Sequence, residues 1–142
     1  MDTDIGTRLA TAAVFVWLGM VLAISFLEAP LKFRAPGVTL RIGLGIGQLV
    51  FRALNACEYV FAIVIAFALF SHETTLGFNL GVCVAVGALL TQTIAVRPLL
   101  SRRSAAVLDG DERRRSLAHY AYVALEVAKV MALIWTGVLL VR

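Results

Sequence analysis

The chain has 142 residues, 61% of them hydrophobic and 15% charged, with a mean hydropathy of +0.90. This excludes an ordinary soluble domain and predicts a single integral membrane unit, because four apolar stretches fill nearly the whole length. The net charge of +4 and pI near 9.6 do not argue for nucleic acid, since the basic residues gather in two connectors between apolar stretches and read there as topology signals.

The first stretch, 9–27, is uncharged between Arg8 and Glu28 and approaches the ~20 residues that cross a hydrocarbon core. Its approach, Met1-Asp2-Thr3-Asp4, is acidic where a signal peptide is basic, so a membrane helix is expected. The second stretch, 43–70, contains Arg52 and Glu58 and ends at Ser71-His72-Glu73. The third, 76–96, is expected to stop at Arg97-Pro98, where proline opposes continuation. The fourth, 117–141, carries Glu126 and Lys129. None alternates with the period of a barrel strand. The expected fold is all-α: one four-helix integral membrane bundle over 1–142.

Lys32, Arg34 and Arg41 flank the first connector, and Arg97, Arg102, Arg103, Arg113, Arg114 and Arg115 the third, while the second has neither Lys nor Arg. The positive-inside rule puts connectors one and three in the cytoplasm and both termini across a cell (plasma) membrane. The third connector, 101–116, reads as a solvated loop with a turn at Leu108-Asp109-Gly110-Asp111. Its charges suit topology or anionic lipid headgroups.

Charged groups within spans two and four are expensive, roughly 2.5 to 3.5 kcal/mol each on insertion scales, and normally face a protein interior with partners. At about 1.5 Å of rise per residue, Glu58 lies roughly 20 Å below Ser71 and Lys129 roughly 18 Å below Val141, while Arg52 and Glu126 lie roughly 28 and 22 Å down. These depths predict a Glu58–Lys129 pair, with Arg52 reaching Glu126. On the antiparallel helices, Glu28 and Gln92 come out at roughly 28 and 23 Å. Gln48, Arg52, Asn55 and Tyr59 share one stripe of helix two. The expected site is a polar layer of Glu28, Gln48, Arg52, Asn55, Glu58, Tyr59, Gln92, Glu126 and Lys129 in the cytoplasmic half.

Such a layer is either a set of structural pairs that fixes packing or the floor of a polar cavity for a solute, proton or lipid headgroup. Gly43 and Gly47 form a small-xxx-small pair suited to close helix packing. His72 and His119 are isolated and make no metal set. Cys57 and Cys83 differ in depth by about 12 Å and are not expected to bond. Trp17, Trp135, Tyr120 and Tyr122 suit interfacial or packing roles. Catalytic triads, Walker loops and dinucleotide fingerprints are absent. The residues therefore imply no cofactor and no metal, with the lipid bilayer as partner, a second copy or a larger membrane assembly as further ones, and no nucleic acid. The first expectation is non-enzymatic: handling of a small solute or lipid, or service as an accessory subunit.

Two resemblances follow from the assembled motifs. Ser25-Phe26-Leu27-Glu28-Ala29-Pro30-Leu31-Lys32-Phe33, Leu54-Asn55 with Glu58, Arg97-Pro98-Leu99, and His119-Tyr120-Ala121-Tyr122 with Leu125-Glu126 and Lys129 resemble a family of small bacterial four-helix membrane proteins of uncharacterised function. That resemblance implies a shared fold and a site including Glu58, Glu126 and Lys129, in a bacterial inner membrane. Locally, Arg52-Ala53-Leu54-Asn55-Ala56-Cys57-Glu58-Tyr59 is similar to the second-helix motif of the MAPEG family of membrane glutathione transferases and leukotriene synthases. It implies that Arg52, Asn55, Glu58 and Tyr59 bind glutathione or another thiol in a trimeric transferase. Arg52 precedes Asn55 by three residues where that family has four, and the end of helix three lacks the family's arginine and tyrosine pattern.

Overall fold

The computed structural model describes residues 2–70, 74–108 and 117–142. The expected turn at Asp109-Gly110-Asp111, the Arg113 to Arg115 run and His72 lie outside them. All regular structure among the described residues is helical, and four helices are long and apolar enough to cross a membrane: α1 (Ile5–Arg34), α2 (Leu40–Ala68), α3 (Leu76–Ala106) and α4 (Leu117–Val141). α1 packs between α2 and α4, and α3 packs mainly on α4, so α2 and α3 meet only sparsely.

The connector between α1 and α2 has a definite local cause. Pro36 and Gly37 occupy the centre of a tight turn closed by Val38 N–H to the Ala35 carbonyl at 3.2 Å, with Gly37 at φ +81°, the pattern of a type II turn. Thr39 and Thr75 then cap α2 and α3, their hydroxyls accepting from Ile42 and Phe78 backbone N–H at 3.3 Å.

Neither α1 nor α3 stops where the sequence suggests. α3 runs through Arg97-Pro98, and residues 101–108, expected in a loop, continue it. In both helices one turn widens to π geometry two residues before a proline. Leu22–Glu28 precedes Pro30, with Ala29 N–H bonded to the Ile24 carbonyl, and Gln92–Val96 precedes Pro98, with Arg97 N–H bonded to the Gln92 carbonyl. The wide turn resets the hydrogen-bond ladder. Each proline then falls in the first turn of a new α segment, where its missing N–H breaks no bond.

The dry core gathers Val14, Trp17, Ile65, Phe78, Leu89 and Leu133 from all four helices. The outside is equally apolar: Ile63, Phe67, Leu76, Leu80, Ile94 and Met131 are all more than half exposed.

Candidate functional site

Two carboxylates and one ammonium meet inside the four helices. Lys129 is fully buried on α4 and donates to Glu58 Oε1 of α2 at 2.6 Å and to Glu126 Oε2, one turn earlier on its own helix, at 3.1 Å. Each remaining oxygen has a donor. Trp17 Nε1 of α1 donates to Glu58 Oε1 and Asn55 Nδ2 to Glu58 Oε2, both at 2.9 Å. Ser25 Oγ donates to Glu126 Oε1 at 2.5 Å, and Gln92 Nε2 of α3 donates to Glu126 Oε2. Arg97 Nη1 in turn donates to Asn55 Oδ1 at 3.2 Å. Two negative and two positive charges thus share one connected network, so each buried carboxylate is both paired and hydrogen-bonded, as burial requires.

The π turns explain the aim of two of these donors. Ser25 lies inside the widened turn of α1, and Gln92 opens that of α3. Both converge on Glu126. Widened turns recur where a helix must present side chains off its regular stripe.

Other expected members lie elsewhere. Arg52 is exposed and makes no ion pair among the described residues, so it does not meet Glu126; Gln48 is also exposed but lines the cavity that adjoins the layer. The cause is rotational. The buried residues of α2 are Gly43, Gly47, Leu54, Asn55, Glu58 and Ile65, and Arg52 lies about 130° around the helix from their centre at about 100° per residue. Glu28 is half-buried and pairs with Lys32 at 3.3 Å instead of entering the layer. The Tyr59 hydroxyl bonds to the Thr93 hydroxyl at 2.5 Å. Cys57 is half-buried and Cys83 exposed, both as free thiols. Trp17, Ser25 and Arg97 are the members that sequence reading missed.

Directly beside Glu126 lies a cavity of about 770 Å³ to which all four helices contribute, including Lys32, Phe51, Asn55, Arg97, Tyr122 and Glu126. It occupies the end of the molecule where α1 and α3 finish and α2 and α4 begin. Gly43 and Gly47 shape its wall. The Phe33 ring lies where a Cβ on Gly43 would stand, and Lys32 Nζ is 2.8 Å from a Cβ placed on Gly47. Lys32 also lies 5.7 and 5.4 Å from the Phe33 and Phe51 ring centres, within cation–π range. Two buried polar atoms have no partner among the described residues, Gln92 Oε1 and the Tyr122 hydroxyl. Comparison with protein families, characterised proteins and solved structures finds no match to this chain.

Proposed function

We propose that this is a multi-pass integral membrane protein that holds a small amphiphile or solute in a cavity at its cytoplasmic end, without transforming it. Four helices of sufficient length, with large apolar side chains exposed along their outer faces, support insertion in a bilayer. The basic residues flanking connectors one and three support placing that end in the cytoplasm and both termini opposite, with the cell membrane as location.

The observation that carries the reading is the contrast across the Glu126 layer. On one side lies the cavity; on the other, Val14, Trp17, Ile65, Leu89 and Leu133 are packed without exposure beyond 2%. A site closed at one end suits binding from one leaflet rather than conduction. The buried charges close the floor and fix helix register, the best-attested use of such pairs.

A glutathione-dependent transferase needs Arg52, Asn55, Glu58 and Tyr59 around one thiol, and of these only Asn55 lines the cavity, so the geometry favours binding over transfer. Titrating glutathione into the solubilised protein tests this directly: no heat is expected at millimolar ligand, and a saturable signal would restore the enzyme reading.

Cysteine accessibility tests the main proposal. With Cys57 and Cys83 replaced by serine, Ser104→Cys, on the cavity wall, should react with an impermeant maleimide from the cytoplasmic side. Ala85→Cys, in the sealed core, should not. Equal labelling of both would remove the one-sided cavity, and labelling of Ser104→Cys from the other side only would reverse the orientation.

A further inference from the structure

We infer that the cavity recognises an amphiphile through a phosphate-bearing head, with Arg97 as its principal ligand and Lys32 as the second cation; this rests on the binding role proposed above. Both side chains line the same cavity.

The charges facing the cavity are unequal in what they still offer. Glu126 presents a carboxylate, but both oxygens are already taken by Ser25, Gln92 and Lys129. Its charge is offset from behind by the wholly buried Lys129 ammonium, which it shares with Glu58. Arg97 is the opposite case. Of its five N–H donors, one is engaged among the described residues, and that with the neutral amide oxygen of Asn55 rather than a carboxylate. Lys32 has one carboxylate contact among the described residues, at 3.3 Å to Glu28, the two side chains being 9% and 31% exposed. That contact occupies one of the three donors of an ammonium, so Lys32 keeps donors to give.

The neutral groups agree with that sign. The Tyr122 hydroxyl, on the cavity wall, is a buried O–H without an acceptor among the described residues. A buried unmade hydrogen bond is costly, and an anionic oxygen in the cavity would relieve it. Ser101 and Ser104 follow Arg97 at four and seven residues along α3 and line the same cavity, so guanidinium and hydroxyls share one face. Two cations and three hydroxyls fit a group with a charge near −2 and three terminal oxygens, and a guanidinium fork matches phosphate geometry. The rest of the wall is apolar, with Phe26, Leu44, Leu100 and Val123. An alkyl or acyl chain fits there while its head meets Arg97.

The test uses the full chain in phosphatidylcholine nanodiscs and two photoreactive twelve-carbon probes, an alkyl phosphate and an alkyl maltoside, with cross-links mapped by peptide mass spectrometry. The alkyl phosphate should half-saturate cavity peptides at a concentration about tenfold lower than the maltoside, the scale of one charge-assisted bond pair. Arg97→Gln should abolish that preference, and Arg97→Lys should retain part of it. If Arg97→Gln does not fold, Lys32→Met is expected to reduce the preference and takes its place. Equal saturation by both probes, or a preference that survives these changes, overturns the phosphate assignment while leaving the cavity's binding role standing. Labelling of cavity peptides by neither probe overturns both. Competition with inorganic phosphate separates the sources: displacement of the alkyl phosphate assigns a soluble phosphorylated solute, and failure to displace assigns a membrane amphiphile.

Discussion

The two ends of this molecule are built on different packing rules. At the end that carries the termini, helices touch backbone to side chain: a Cβ on Gly81 of α3 would fall on the Thr136 hydroxyl of α4, and one on Gly137 would lie 2.9 Å from the Phe15 ring. At the cavity end, Gly43 and Gly47 instead clear space for Phe33 and Lys32. In the bilayer proposed for this protein the hydrophobic effect supplies little between helices, so close contact between small residues and satisfied polar groups must hold them together. The closed end has the contacts. The polar layer lies at the border, where the tight half has to stop and the open half begins.

That border should be the most sensitive place in the chain. Lys129→Met is expected to cost about 3 to 5 kcal/mol, because it leaves two buried carboxylates without their shared counter-charge. Combining it with Glu58→Gln and Glu126→Gln should recover part of the loss, since the stranded charges are removed and each amide oxygen can still accept one donor, from Trp17 in one case and Ser25 in the other. Thermal unfolding of the detergent-solubilised protein measures both. Equal midpoints for the single and triple variants would mean that Lys129 does not compensate the carboxylates, and the layer would lose its role as the joint between the halves.

Glycine substitutions sharpen the contrast with a smaller effect. Gly81→Ala should destabilise by about 1 to 3 kcal/mol, the usual range for overpacking, because its Cβ meets a hydroxyl that is itself fully buried and bonded to the Ala132 carbonyl at 2.7 Å. The nearest atoms to a Cβ on Gly43 all belong to the ring of Phe33, a residue that is 42% exposed and so has room to give. Gly43→Ala should cost less than about 1 kcal/mol. A reversed order in thermal midpoints would show that the open end, not the closed one, is the rigid half.

How far the sequence reveals this division depends on which coordinate is asked for. Depth is legible: constant helical rise brings Glu58, Lys129, Glu126 and Gln92 to similar levels, and the structure joins all four in one network. Rotation is not. The polar residues Gln48, Arg52, Asn55 and Tyr59 suggest the inward stripe of α2, yet of these only Asn55 is buried, and the face that turns inward is the one with small residues, Gly43 and Gly47, followed by Leu54, Asn55, Glu58 and Ile65. Both stripes have regular helical spacing, so periodicity alone does not choose between them. The small-residue spacing was visible and identifies the packed face. Ser25 and Arg97 were hidden for a different reason: the π turns before Pro30 and Pro98 carry each helix past its expected end and re-aim its side chains.

The same rotation yields the smallest expected effect. Arg52 and Asn55 are three residues apart, one exposed and one 3% exposed. Asn55 joins the halves, donating to Glu58 and accepting from Arg97, so Asn55→Ala should cost about 1 to 3 kcal/mol by stranding both partners. Arg52 holds nothing inside the fold, and Arg52→Gln should stay within about 0.5 kcal/mol of the parent chain. Thermal unfolding of the two variants side by side decides the point. A loss for Arg52→Gln as large as that for Asn55→Ala would mean that its guanidinium turns inward in the bilayer, and the inward face of α2 would have to be redrawn around it.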